Sequence, residues 1–323
     1  MLVQGSDRPR TVEELLGRDL AARLDRLDVL SRKVFAGKLP GERRSKKKGQ
    51  SVEFDDYRDY VPGDDLRHLD WTVFARHDRF VVKLFREEED LALHVVLDMS
   101  PSMDTGRPNK LVFAARMAMA LGYIGLVNQN RVSLTTFGGV ERGFTQIKAM
   151  RGRRNVERYA RGLLDRLNER PAPGSFDPGG ERTTFNAAAK RLASTRVGAG
   201  VMVILSDFLD REGYEEGLNY LGVGHGFDTY CLQVLSPEEL DPSRASDEGL
   251  VGDLRLTDVE TGHGAEVTIT GATLKRYRER LERYLAGVRE ACSRRGMTHL
   301  VVPSETDVGE YLLGSLRRRG LVG

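Results

Sequence analysis

The sequence predicts an α/β fold: a doubly wound, mostly parallel sheet preceded by an N-terminal extension with helical and β character. Three observations carry this. Residues 91–97 and 201–206 are near-continuous apolar runs of strand length, the pattern of strands covered on both faces. Strand-like and helix-like segments alternate from there to the C-terminus, as crossover connections between parallel strands require. The 323 residues are 40% hydrophobic and 30% charged, enough apolar material for a packed core and too much for a disordered chain.

Residues 11–36 read as one helix. Thr11 and Glu14 stand at capping-box spacing, and Leu15, Leu16, Leu20, Leu24, Leu27, Leu30 and Val34 recur at helical intervals. Residues 37–49 carry Lys38, Arg43, Arg44, Lys46, Lys47 and Lys48 against Glu42, and read as an exposed basic loop. The balance then reverses through Glu53, Asp55, Asp56, Asp59, Asp64, Asp65 and Asp70. Residues 80–85 read as a strand and 86–90 as a charged bend, placing a domain boundary at 90. Residues 1–90 form the extension and 91–323 the α/β domain.

Within that domain, 91–97 is the first buried strand, 110–127 an apolar helix, 131–137 a strand and 140–147 a hairpin arm. Helices follow at 155–167 and 185–192, separated by a Pro- and Gly-rich loop at 171–180. Residues 201–206 form a second buried strand, 214–221 a helix and 228–234 a strand. Residues 250–270 read as a two-stranded insertion. A long helix at 274–295, a strand at 299–302 and a helix at 308–318 complete the chain.

The 50 basic and 48 acidic side chains leave a formal charge of +2, which argues against a general binder of polyanions. No secretory leader is legible at the N-terminus, and no apolar stretch is expected to approach the roughly 18–20 residues that span a bilayer. Cys231 and Cys292 form no framework and read as buried small side chains. A reducing, cytoplasmic setting is the expectation.

Ligands of doubly wound sheets sit beyond the C-terminal ends of the strands. There the first buried strand ends in Asp98, followed by Ser100 and Ser102; the loop into the alanine-rich helix carries Thr183 and Thr184; and the second buried strand ends in Ser206 and Asp207. These are hard oxygen donors with no histidine or cysteine among them, the chemistry of Mg²⁺ or Mn²⁺. With two carboxylates and otherwise neutral hydroxyls, such an ion stays under-neutralised and seeks an acid from outside.

This set resembles the metal-ion-dependent adhesion site of von Willebrand factor A-type domains. The resemblance implies that Ser100 and Ser102 touch the metal, that Thr183 binds it directly or through water, and that Asp98 and Asp207 act mostly through water. Thr183 is preferred to Thr184 because Phe185 then falls on the apolar position two residues on. The glycine pair Gly179-Gly180 is separated from Thr183 by Glu181 and Arg182, a departure from the resemblance.

A second motif runs from Tyr60 through Pro62, Gly63, Asp64, Asp65 and Arg67 to Asp70, Trp71 and Arg76. Pro62-Gly63 suits a type II turn, Asp64 or Asp65 can cap a following helix, and Arg67 and Asp70 can pair on one face. Trp71 is expected to anchor this segment on the sheet domain. A structural clasp and a docking surface are both open readings. Placed before an A-type domain, the motif closely resembles the domain-of-unknown-function family fifty-eight. That resemblance implies an adaptor working with a MoxR-type AAA+ ATPase in chaperone-like or complex-maturation tasks.

Other classes have less support. A metal-dependent hydrolase using Asp98 as nucleophile needs a second carboxylate as proton donor where Ser100 stands. No phosphate-binding GxxxxGK[ST], HExxH or GxSxG is present. Nucleic-acid binding through the basic loop lacks interleaved aromatic residues for base stacking. No complete catalytic set is recognised.

Overall fold

The fold is that of a computed structural model describing residues 8–31, 52–62, 66, 69–87, 91–139, 143–168, 183–195, 200–222, 227–245, 252–257 and 264–323. In chain order the elements are α1 (Val12–Leu15), α2 (Arg18–Leu24), β1 (Val52–Asp59), α3 (Trp71–His77), β2 (Val81–Glu87), β3 (Ala92–Asp98), α4 (Lys110–Val127), β4 (Arg131–Phe137) and β5 (Phe144–Met150). There follow α5 (Val156–Asn168), α6 (Phe185–Ser194), β6 (Gly200–Ser206), α7 (Glu215–Gly222), β7 (Asp228–Leu235), α8 (Pro237–Leu240), β8 (Gly252–Thr257), β9 (Gly264–Ile269), α9 (Gly271–Arg294), β10 (Thr298–Pro303) and α10 (Val308–Tyr311).

Six strands form the central sheet in the order β10-β7-β6-β3-β4-β5. All neighbours are parallel except β4 and β5, which pair antiparallel. Counted from β3, this is the doubly wound order 3-2-1-4-5-6, whose direction of progression reverses between β3 and β6. The α/β expectation therefore holds: the sheet is doubly wound and mostly parallel.

Alternation along the strands explains the two layers. Leu93, Val95 and Leu97 of β3 and Val201, Val203 and Leu205 of β6 enter one core with α4 and α5, whereas Val96, Met202 and Ile204 enter a second core with α6, α7 and α9. Successive side chains of a strand point to opposite faces, so a strand apolar at every position requires a helical layer on each side. In the second layer Cys231 and Cys292 are both buried, as free thiols.

The apolar helix α4 is long and apolar enough to cross a membrane, contrary to the expectation that no stretch approaches that length. Most of it is buried inside the fold, where it packs on β3 and on α5.

The chain divides into two compact units, residues 1–34 with 91–323, and residues 35–90. The second unit ends at residue 90, and the described N-terminal residues pack with the sheet domain rather than with residues 35–90. Leu15, Leu16, Leu24, Leu27 and Val29 are buried in its first core. Val29 bridges Val322, and the amides of Asp28 and Gly323 each donate to the other's carbonyl at 2.9 Å.

The single helix expected over 11–36 is also corrected. Leu16 and Gly17 are extended and separate α1 from α2, which lets the adjacent Leu15 and Leu16 both reach the core. Beyond Asp25 the chain leaves the helix to meet the C-terminus, and residues 32–36 lie outside the described set. The last helix is α10 continued by a wider π-type turn over Leu312–Leu316. The expected insertion is the antiparallel pair β8–β9.

In the unit of residues 35–90, β1 and β2 pair antiparallel with a bulge at Phe54/Asp56. The strand β1 was hidden in the sequence by its acidic residues. The basic loop at 37–49 lies outside the described residues.

Candidate functional site

The loops after β3, β4, β6 and β7 meet at the C-terminal edge of the sheet, where the reversal between β3 and β6 opens a crevice. Asp98 ends β3 and is buried. Its Oδ1 accepts the Ser100 amide at 2.8 Å and its Oδ2 accepts the Ser206 hydroxyl at 2.6 Å. A 3₁₀ turn over Pro101–Asp104 follows, with proline at its first position, where the lost amide costs no helical bond. This turn brings the half-buried hydroxyls of Ser100 and Ser102 to 3.0 Å from each other.

The rest of that loop is pinned. Thr105 Oγ1 donates to the Ser102 carbonyl at 2.5 Å, and Asn109 caps α4 through the Val112 amide while donating to Asp104. Arg8 holds the other oxygen of Asp104 at 2.6 Å.

Asp207 follows β6 and is 1% exposed. Its Oδ1 accepts the Leu209 amide, and its backbone carbonyl accepts Gln233 Nε2 at 2.8 Å. Its Oδ2 lies 2.9 Å from the ammonium of Lys110, a lysine with no exposed side-chain surface. Lys110 also reaches Glu239 Oε1 at 2.5 Å. Glu239 is held by a capping box: Ser236 Oγ accepts its amide, and its Oε2 accepts the Ser236 amide. Burial works against the Lys110 ammonium, but the Asp207 and Glu239 carboxylates outweigh it and hold its pKa above the ordinary lysine value.

Among the described residues, the hydrogen-bond partners of Asp98 are neutral. Burial, reinforced by the charge of Asp207, raises its pKa to about 7 despite the hydrogen bonds from Ser206 and Ser100.

Thr183 reaches the same edge by way of the turn after β4. Gly138 donates its amide to Gly143 at 3.0 Å. A Cβ on Gly138 would lie 2.7 Å from the Ser100 nitrogen and 3.0 Å from Asp98 Oδ1, and one on Gly143 would lie 2.5 Å from Thr183 Oγ1. The two glycines thus let the backbone pass between Asp98 and Ser100 on one side and Thr183 on the other. Thr184 is occupied otherwise: it caps α6 by accepting the Ala187 amide at 3.3 Å.

The structure therefore brings Asp98, Ser100, Ser102 and Asp207 to one edge, with Thr183 beside the adjoining turn. Among the described residues no three His, Cys, Asp or Glu side chains gather in a way that could hold a metal ion. A cation here would depend on the serine and threonine hydroxyls, a donor set that suits a small hard ion. Sequence reasoning missed Lys110 and Glu239. Both left signals: a lysine at the first position of an apolar helix opposes the helix dipole, and Ser236-Pro-Glu-Glu239 is a legible capping box.

The second motif divides. Asp70 is 5% exposed, caps α3 through the Thr72 and Val73 amides, and accepts the Tyr57 hydroxyl at 3.0 Å. It, and not Asp64 or Asp65, is the cap of the described helix. Tyr60 is half-buried against Phe80, with ring centroids 6.2 Å apart. Trp71 was expected to serve as an anchor; its side chain is 60% exposed, edge-on to Phe74, because the first position after the cap turns it outward. Arg76 is exposed. Asp64, Asp65 and Arg67 lie outside the described residues.

Fold and site together define a doubly wound α/β protein with an oxygen-rich crevice at the sheet's switch point. The chain belongs to the family described as "Protein of unknown function DUF58", which it matches over residues 56–290. It is 28% identical over 255 residues to uncharacterised proteins of Mycobacterium tuberculosis and Mycobacterium bovis, covering 78% of this chain and 75% of theirs. Among solved structures it is similar to the conserved hypothetical protein BatB of Bacteroides thetaiotaomicron, at 13% identity and a TM-score of 0.39 over 71% of this chain and 98% of that one. An aerotolerance-related membrane protein of Bacteroides fragilis matches at 16% identity and a TM-score of 0.38, over the same shares of each chain.

Proposed function

We propose that this protein is an interaction module that takes Mg²⁺ or Mn²⁺ at Asp98, Ser100, Ser102, Thr183 and Asp207 and captures a carboxylate of a protein partner there. The observation that carries this reading is the pair of half-buried serine hydroxyls, 3.0 Å apart, beside a buried aspartate whose pKa is raised to about 7 by burial and by the charge of Asp207. Lys110 is set against Asp207, and Glu239 is partly in solvent. Asp98 is then the buried carboxylate that a cation would relieve. When bound, the divalent ion supplies one positive charge more than Asp98 offsets, and that excess favours an acid from outside. Ser100 and Ser102 supply neutral oxygens, Asp98 and Asp207 fix the loops that aim them, and the Gly138–Gly143 turn leaves room for Thr183.

The partner in this reading is a MoxR-type AAA+ ATPase, with the chain as its adaptor in a reducing, cytoplasmic setting. Burial of Asp98, at 4% exposure, with both oxygens already accepting hydrogen bonds, supports a holding role over a nucleophilic one.

The test is affinity capture from native lysate with wild-type protein and Ser100→Ala, in Mg²⁺ and in EDTA. An AAA+ ATPase retained by the wild type in Mg²⁺ alone is the expected result. Capture that persists unchanged in EDTA refutes the metal bridge. Ser100→Ala is chosen over Asp207→Ala because the latter leaves the Lys110 ammonium buried beside Glu239 alone.

A further inference from the structure

The near-zero total charge hides a second concentration of cations, far in sequence from the basic loop. Residues 148–166 hold seven basic side chains and two acidic ones, an excess larger than the +2 of the whole chain. They run from the end of β5 through the turn after it into α5, where Arg158, Arg161 and Arg166 stand.

The inner face of α5 is apolar: Tyr159, Ala160, Leu163, Leu164 and Leu167 are buried and pack toward α4. The outer face borders an open groove of about 580 Å³ whose floor is Ile147 of β5 and Gly162 of α5. The two are in close contact, since a Cβ on Gly162 would lie 2.4 Å from Ile147 Cδ1. Arg154, Arg158, Arg161 and Arg166 line the walls. Arg158 and Arg161 are spaced to share one face of α5, Arg154 stands in the 3₁₀ turn just before it, and all three are exposed. Arg161 pairs with Glu157 at 2.5 Å.

β5 is the last strand of the sheet and pairs with β4 alone among the described strands. An edge strand presents its outer backbone donors and acceptors to another strand, and Ile147 of β5 lines this groove.

We propose that the groove between β5 and α5 takes an extended, acidic segment of a protein partner. The guanidiniums match carboxylates in charge and in bidentate geometry. The strand edge offers main-chain pairing to an extended peptide, and Ile147 gives one apolar contact. Nucleic acid fits less well. No aromatic residue lines the groove for base stacking, and Glu157 and Asp165 in the lining would repel a continuous phosphate backbone. This surface is separate from the oxygen cluster and does not depend on a metal.

The probe is a fluorescent peptide of alternating glutamate and valine, compared with its glutamine counterpart and with a single-stranded oligothymidylate, binding being read by fluorescence anisotropy in EDTA. The expected result is binding of the glutamate peptide alone among the peptides, weakening as salt rises from about 50 to about 300 mM. The double variant Arg154→Glu/Arg158→Glu should bind it about tenfold more weakly or worse, and Arg154→Gln/Arg158→Gln should fall between. Both residues are exposed, and a thermal melt equal to wild type certifies the fold. Failure of the wild type to bind at low salt, equal binding by the charge-reversed variant, or tighter binding of the oligonucleotide would each overturn the proposal.

Discussion

The Lys110 ammonium lies 2.9 Å from Asp207 Oδ2, with the two side chains 0% and 1% exposed. It joins the first residue of α4 to the end of β6, and through Glu239 to the end of β7. The C-terminal edge of the sheet is thus tied together by a cation the chain supplies itself. Removing one partner of such a buried pair leaves the other charge uncompensated, at a cost of about 3–5 kcal/mol. Lys110→Met should lower the urea midpoint accordingly, and adding Asp207→Asn to it should recover part of the loss. A Lys110→Met protein as stable as wild type would show that the pair does not hold the edge.

Asp98 makes stability depend on pH in an unusual direction for a carboxylate. Its folded pKa, about 7, stands above the ordinary 3.8, so the folded state binds the proton more tightly than the unfolded chain does. The stabilisation is fully present below the unfolded value, declines as pH rises toward the folded value, and is gone above it. In EDTA, unfolding midpoints should therefore fall between about pH 4 and pH 7 from this group, and Asp98→Asn should flatten that slope. Added Mg²⁺ should restore stability at about pH 8 in the wild type if the cation sits where proposed.

The turn between β4 and β5 separates the backbone from Thr183 by glycine alone. Gly138 has φ +78°, and its Cβ would meet the Ser100 nitrogen at 2.7 Å, so Gly138→Ala should destabilise the protein by about 1 kcal/mol or more and shift the Ser100 amide resonance. In Gly143→Ala the new methyl would press on Thr183 Oγ1, 2.5 Å away. That variant should weaken Mn²⁺ binding, read by titration calorimetry, with little loss of thermal stability. Unchanged Mn²⁺ affinity would remove Thr183 from the ligand set.

Asp70 joins the two halves of its unit, capping α3 while accepting the Tyr57 hydroxyl of β1. Asp70→Ala should cost about 1 kcal/mol for the cap and speed hydrogen exchange at the Thr72 and Val73 amides. Asp70→Asn, which retains an accepting oxygen, should leave those amides protected.

The sheet was legible because its strands are apolar at successive positions, a pattern that only burial on both faces explains. Asp98 and Asp207 were legible as neighbours because each ends such a run, and parallel strands that start together end together. The break at Leu16 and Gly17 was not, since the leucine spacing of residues 11–36 suits a helix locally and only the core decides that Leu15 and Leu16 both turn inward. The acidic residues of β1 concealed a strand whose pairing with β2 is set by main-chain bonds. Trp71 misled for a related reason: a lone tryptophan suggests burial, but the cap at Asp70 fixes which way it leaves the helix.

The sequence by itself determined the α/β class, the order of the central-sheet strands from residue 91 onward, and the oxygen character of the residues that end them, because periodicity and residue chemistry are local. The tertiary structure alone decided that Lys110 neutralises Asp207, that residues 8–31 join the sheet domain, and that the arginines of α5 border an open strand edge. Those outcomes depend on where the chain returns in space. Lys110 and Asp207 are 97 positions apart, and over such a separation only the packing of α4 against the sheet brings one charge to the other.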